Sequence, residues 1–176
     1  CASRFDLGQG QGHLNGAAYS YLQLTFNETT MFKHILLATD GSAASEHAAN
    51  MAVDLARTHQ AKLTVVFVVD PYPYMGIGEA NPLGFDAYMG AAQAQAAAAH
   101  SHVSDLCNQG GAVVSMQARM LENVGAASGI VQTAKTEGAD LIMVGSHGRS
   151  GIARLMLGSV AGRVVSESPV PVLVVR

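Results

Sequence analysis

The feature that most restricts this chain is a set of short segments with no polar face. Residues 33–39 read Lys-His-Ile-Leu-Leu-Ala-Thr, residues 61–69 Ala-Lys-Leu-Thr-Val-Val-Phe-Val-Val, residues 140–144 Asp-Leu-Ile-Met-Val and residues 170–175 Val-Pro-Val-Leu-Val-Val. A strand wetted on one side alternates polar and apolar residues, whereas the short, nearly continuous apolar runs at 33–39 and 61–69 belong to buried strands, covered on both faces. Helical patterns fill the gaps. Gly41 turns the chain after Asp40, Ser42 is a good N-cap, and the stripe Ala44, Ala48, Met51, Ala52, Leu55 and Ala56 predicts a first helix with Glu46, Asn50, Asp54 and Arg57 off it. Residues 84–108 are alanine-rich and stop at Gly110-Gly111, which predicts a long second helix. Val113, Val114, Met116 and Ala118 support a third strand over 112–120. A third helix begins near 123–125, turns Ile130, Val131 and Ala134 inward and ends at Gly138; a fourth starts at Ser159 with Val160, Ala161, Val164 and Val165.

The order β-α-β-α-β-α-β-α-β specifies a three-layer α/β domain, with a five-stranded, mainly parallel sheet and helices on both faces. Its crossovers are expected to be right-handed. At 176 residues and 49% hydrophobic the chain can bury one substantial core, so a single domain over 31–176 is expected. Residues 1–30 lack sustained periodicity and carry the cluster Gly8-Gln9-Gly10-Gln11-Gly12. They are read as a leader, appended or translated from upstream, with Met31 as the natural start; a lipidated Cys1 is the lesser alternative. Residues 71–82 hold three of the five prolines, with Tyr72, Tyr74, Gly76 and Gly78 among them, and are expected to form a surface loop.

In such sheets ligands bind beyond the carboxyl ends of the strands, where the winding reverses. Asp40 ends the first strand and Gly145 follows the fourth, so neighbouring strands there would bring both to one crevice. From Gly145 the chain enters Ser146-His147-Gly148-Arg149-Ser150-Gly151 and reaches Gly158-Ser159 at the head of a helix. Glycines admit backbone N–H groups close to an anion, and a helix start adds unpaired N–H groups and partial positive charge. The plain alternatives are a glycine loop that only turns the chain, an Asp40 that only begins a helix, and a His147 that is a positioned loop residue. A net charge of −3, from 10 Lys and Arg against 13 Asp and Glu, offers no basic field for a nucleic acid. Cys1 and Cys107 form no metal cluster or disulfide framework and suit a reducing compartment. No run is apolar enough to span a bilayer, and His100 and His102, two apart, lack the spacing of a helical metal site. A cytoplasmic protein without nucleic-acid, membrane or structural-metal partners is expected.

Gly145-x2-Gly148-x9-Gly158-Ser159, together with Met31, Asp40 and the terminal 169–175 strand, closely resembles the universal stress protein family, in its ATP-binding branch. The resemblance covers essentially all of 31–176. It implies strand order 3-2-1-4-5 in a Rossmann-like fold of the adenine nucleotide alpha hydrolase type, and dimers joined by antiparallel pairing of the last strand, 170–175. An exposed strand of Val and Leu is an edge that needs a partner, which agrees. The resemblance also implies a site. Asp40 would lie near the ribose or a phosphate-bound Mg2+, and Val68 would hold the adenine through its backbone. Val144 and Gly145 would line the base and ribose, Ser146, His147 and Gly148 would begin the phosphate loop, and Gly158, Ser159 and Val160 would cap the phosphates. Arg149 and Arg154 either add charge there or are solvated. The ligand implied is ATP with Mg2+, or AMP or ADP, held by a stress-response regulator with at most slow hydrolysis or autophosphorylation. The Walker lysine motif is missing, so fast phosphoryl transfer is not expected. Two rivals are a dimeric interaction scaffold without nucleotide, and a small hydrolase using Asp40, His147 and Ser42 or Ser146; the latter lacks the Gly-x-Ser-x-Gly elbow.

Overall fold

The computed structural model describes residues 31–71, 82–148 and 157–176. The elements run β1 (His34–Ala38), α1 (Ala43–His59), β2 (Lys62–Val68), α2 (Pro82–Asn108), β3 (Met116–Leu121), α3 (Ala126–Glu137), β4 (Leu141–Gly145), α4 (Ser159–Glu167) and β5 (Val172–Val175). The sheet has the order β3-β2-β1-β4-β5, with every neighbouring pair parallel. Ile35 lies opposite both Leu63 and Leu141, so β1 is the centre of the sheet. Residues 32–176 make one unit. The expected loop residues 72–81, with Tyr72 and Tyr74, lie outside the described residues.

The covering of both faces follows from the parity of the strand residues. On one face Ile35, Leu37, Leu63, Val65, Leu141 and Met143 pack under α1 and the end of α2, against Ala48, Ala52, Val53, Ala56 and Val103. On the other face Leu36, Val66, Ile142 and Val144 meet Ile130, Val131 and Ala134 of α3 and Ala161 and Val164 of α4. Successive strand residues point to opposite faces, so one strand feeds two cores, and the buried polar residues of these strands, His34 and Thr64, are hydrogen-bonded to one another. Further along β2, Phe67 and Val69 lie under Ala92, Ala96 and Ala99 of α2. Small alanines let the long helix approach the sheet.

Four local expectations are corrected. In α1 the buried stripe takes in Ala49 and Val53, while Met51 is 47% exposed, because the helix rolls one position further round than the alanine spacing suggests. In α4 only Ala161 and Val164 are buried; Val160 and Val165 are 41% and 48% exposed. The third strand begins at Met116, four residues after the expected start, because the chain is still leaving the Gly110 and Gly111 turn, where φ is +73° and +140°. There Arg57 of α1 intervenes, donating to the carbonyls of Leu106, Gln109 and Ala112 and tying the end of α2 to the approach of β3. The last strand is shorter, since Pro169 and Pro171 precede it and paired structure starts at Val172.

Candidate functional site: a cleft at the carboxyl edge of β1 and β4

The sheet order brings the ends of β2, β1 and β4 side by side, with Asp40 after the middle strand. Gly41 adopts φ +72°, a left-handed conformation that glycine enters without strain. The turn lets Asp40 Oδ1 accept from the Ser42 N–H at 3.0 Å and from the Ser42 hydroxyl at 2.6 Å. Ser42 thus stands at the N-cap position of α1 but makes no side-chain cap hydrogen bond. The expected capping hydroxyl serves the carboxylate instead.

After β4 the chain is held on two sides. The Ser146 N–H donates to the Val175 carbonyl at 2.6 Å, and the Ser146 carbonyl accepts from the Gly158 N–H at 2.9 Å. The second bond fixes the start of α4 beside the end of β4. Gly158 is the N-cap residue of α4 and has no side chain to cap it, so the first-turn N–H groups lack the intrahelical acceptors that later turns have. Two of the motif's three glycines, Gly148 and Gly158, are sites of close approach. A Cβ on Gly148 would sit 2.7 Å from Asp40 Oδ2, and one on Gly158 would sit 3.0 Å from the Ser146 carbonyl oxygen. Ser146 is buried, and its hydroxyl lies 3.0 Å from His147 Nδ1.

These pieces enclose a cleft of about 310 Å³, within the range of small-molecule sites. It is lined by Asp40 after β1, by Gly145, Ser146, His147, Gly148, Gly158, Ser159 and Val160, and by the apolar Val68, Val144, Val66, Ala126 and Ile130. The ten residues that the resemblance assigned to the nucleotide therefore meet in one cavity. Arg149 and Arg154 lie outside the described residues.

Sequence reasoning missed Thr39, Ser45, Asp70, Ala126 and Ile130, which also line the cleft. Asp70 had a usable signal, since it shares the parity of Val66 and Val68 and follows the same strand. The α3 residues had none, because their approach depends on how that helix packs. For the hydrolase arrangement, the Ser42 hydroxyl is committed to Asp40 and that of Ser146 is paired with His147. Among the described residues no group of three or more His, Cys, Asp or Glu is placed to hold a metal ion. No helix among them is long and apolar enough to cross a membrane.

The model of the universal stress protein family matches residues 31–176. A universal stress protein of Methanocaldococcus jannaschii is 34% identical over 150 residues, 85% of each chain. Among solved structures, a universal stress protein from Lactobacillus plantarum aligns with TM-score 0.64 at 26% identity, over 82% of this chain and 97% of its own. The crystal structure of a universal stress protein in complex with cAMP aligns with TM-score 0.52 at 28% identity, over 82% of this chain and 97% of that one.

Proposed function

Because the chain belongs to the universal stress protein family, we propose that it binds an adenine nucleotide, ATP, at the carboxyl ends of β1 and β4 and acts as a stress-response regulator through that occupancy. The observation that carries this reading is that one cleft is lined by groups of two chemically different kinds. At the end of β4 lie a glycine loop and the uncapped start of α4, which suit phosphate oxygens. β2 contributes Val66 and Val68, and α3 contributes Ala126 and Ile130, which suit a base. β2 and β4 flank β1, so their ends are about 10 Å apart at the ~4.8 Å spacing of neighbouring strands, a distance a nucleotide spans. The relative crystallised with cAMP supports the adenine nucleotide class.

In this arrangement Val68 holds the base through its backbone, Val144 and Gly145 flank base and ribose, and Asp40 lies at the ribose and the near phosphate. Ser146, His147 and Gly148 begin the phosphate loop, and Gly158, Ser159 and Val160 close it. The charged side chains of the described lining are the carboxylates Asp40 and Asp70, so the nucleotide enters with Mg2+, which offsets part of its charge. AMP and ADP fill the same positions with fewer phosphates. Hydrolysis, where it occurs, is slow. The functional unit is a homodimer paired through β5. The buried free thiol of Cys107 fits a cytoplasmic protein.

The test is calorimetric titration of the full chain with ATP and Mg2+, after mass spectrometry has excluded co-purified nucleotide. Saturable binding that is lost in Gly148→Trp supports the reading. Binding that survives the substitution removes the glycine loop from the site, and no binding by the unsubstituted chain leaves a dimeric interaction scaffold.

A further inference from the structure

Ser42 has the position of a helix cap and the hydrogen bonds of something else. Its backbone carbonyl accepts the Ser45 N–H at 2.9 Å and the Ser45 hydroxyl at 2.8 Å. Ser45 has a single hydroxyl hydrogen, so with that hydrogen on Ser42 the Thr39 hydroxyl donates to Ser45 Oγ across 3.0 Å. Thr39 Oγ1 also accepts from the Gly41 N–H at 3.2 Å. The turn is therefore closed on itself by short polar side chains, and the Ser42 hydroxyl is directed at Asp40 Oδ1.

A second cavity shows how Ser42 can act. A groove of about 530 Å³ between α1 and α2 is lined by Ser42, while Thr39, Asp40 and Ser45 line both this groove and the cleft. Those three residues are the shared wall. Ser42 stands behind it and is not among the residues that line the cleft. Its route to a cleft ligand runs through Asp40.

We propose that Ser42 is a positioning residue of the nucleotide site, holding Asp40 with Oδ1 turned into its own loop and Oδ2 turned toward Gly148. The proposal rests on the reading of the cleft as a nucleotide site. A carboxylate turns easily about its terminal torsion. Two donors on one oxygen, both bonds strengthened by the charge, fix its plane. Oδ2 then lies where a Cβ on Gly148 would be 2.7 Å away, at the boundary between the ribose and phosphate regions.

The experiment is a double-mutant cycle read by ATP titration of the full chain, with thermal melts as the control on folding. Ser42→Ala is expected to weaken ATP binding about five- to tenfold, as fits the loss of one charge-assisted hydrogen bond, with a nearly unchanged melting midpoint because no cap bond is lost. Ser42→Thr, which keeps the hydroxyl, is expected to restore affinity to within about twofold. In an Asp40→Ala background, Ser42→Ala should have no further effect. An unchanged affinity in Ser42→Ala, or losses from Ser42→Ala and Asp40→Ala that multiply in the double variant, overturns the proposal while leaving the nucleotide reading intact. Failure of the unsubstituted chain to bind ATP overturns both.

Discussion

At the scale of single residues, Gly148 and Gly158 are glycines for different reasons. Neither needs a left-handed backbone: Gly158 has φ −56° and ψ 150°, and Gly148 is not among the residues with positive φ. Gly148 faces the end of a side chain, the Asp40 carboxylate, which can swing away only by giving up its hydrogen bonds from Ser42. Gly158 faces the Ser146 carbonyl, whose residue is bonded both to Val175 and to Gly158 itself, so nothing there can yield cheaply. Gly148→Ala is therefore expected to cost about tenfold in ATP affinity through the displaced carboxylate with little change in melting midpoint. Gly158→Ala is expected to lower stability by about 1–3 kcal/mol, the usual range for forced overpacking, along with binding. Paired thermal melts and titrations distinguish the two. Equal stability losses in both variants would mean that Asp40 is as immobile as the backbone.

At the scale of elements, β5 shows how a strand can be half committed. The carbonyls of Pro171 and Val175 accept from Ile142 and Ser146 of the β4 side, so by the alternation of a parallel ladder the peptide groups of Val172 and Val174 point away from the sheet. Leu173, between them, is 37% exposed. Among the described residues β5 pairs with β4 alone, and such an edge is a template for a second chain. Proline at position 174 deletes an outward donor and leaves the bonds to β4 in place. Val174→Pro is expected to convert a dimer into a folded monomer, seen by light scattering, with a melting midpoint lowered by a few degrees. A dimer that persists unchanged would place the interface elsewhere.

At the scale of the whole molecule, buried and half-buried polar groups outside the cleft lining contribute to its response to acid. At the amino ends of the strands, His34 Nε2 lies 2.8 Å from Thr64 Oγ1, and Nδ1 lies 3.1 Å from the Glu137 carbonyl. Thr64 and Arg119 both donate to the Glu137 carboxylate. Burial, reinforced by nearby Lys62, pushes His34 below its ordinary value. His100 on α2 is also lowered by burial; its ring meets Phe67 edge-on and its Nε2 has no partner among the described atoms. Burial alone would raise Glu137, but hydrogen bonds from Arg119 and Thr64 outweigh it and hold the carboxyl below the usual range. All three shifts act in one direction, because the unfolded chain binds more protons than the folded one. Stability should thus be fullest above pH 6.5 and fall as the pH drops through the ordinary histidine value, by no more than about 1.4 kcal/mol per pH unit for each histidine. The Glu137 contribution is present above the ordinary carboxylate value and is lost only as the pH falls through its lowered one. Urea midpoints from pH 7.5 to 4 should show the first decline in the unsubstituted chain and a flatter profile in His34→Gln with His100→Gln. An unchanged slope in the double variant would assign the decline to other groups.

The local pattern of residues was enough for the element order, the two-faced burial of the central strands and, on condition that β1 and β4 are neighbours, a crevice shared by Asp40 and Gly145. These follow from short-range facts: apolar runs too continuous for a wetted strand, glycines at the turns, and ligand sites at the reversal of an α/β sheet. The strand order 3-2-1-4-5 came instead through the family resemblance, and the structure bears it out. Other features depended on how elements are oriented once packed. Helix roll left Met51 outside and took Ala49 in, the approach of α3 made Ala126 and Ile130 part of the cleft, and Arg57 delayed β3 by gathering carbonyls more than forty residues away. Ser42 is the sharpest case. The sequence determined that a hydroxyl would stand at the head of α1, but the tertiary structure decided what it bonds, because the left-handed turn at Gly41 brings the Asp40 carboxylate closer to that hydroxyl than any free N–H of the helix.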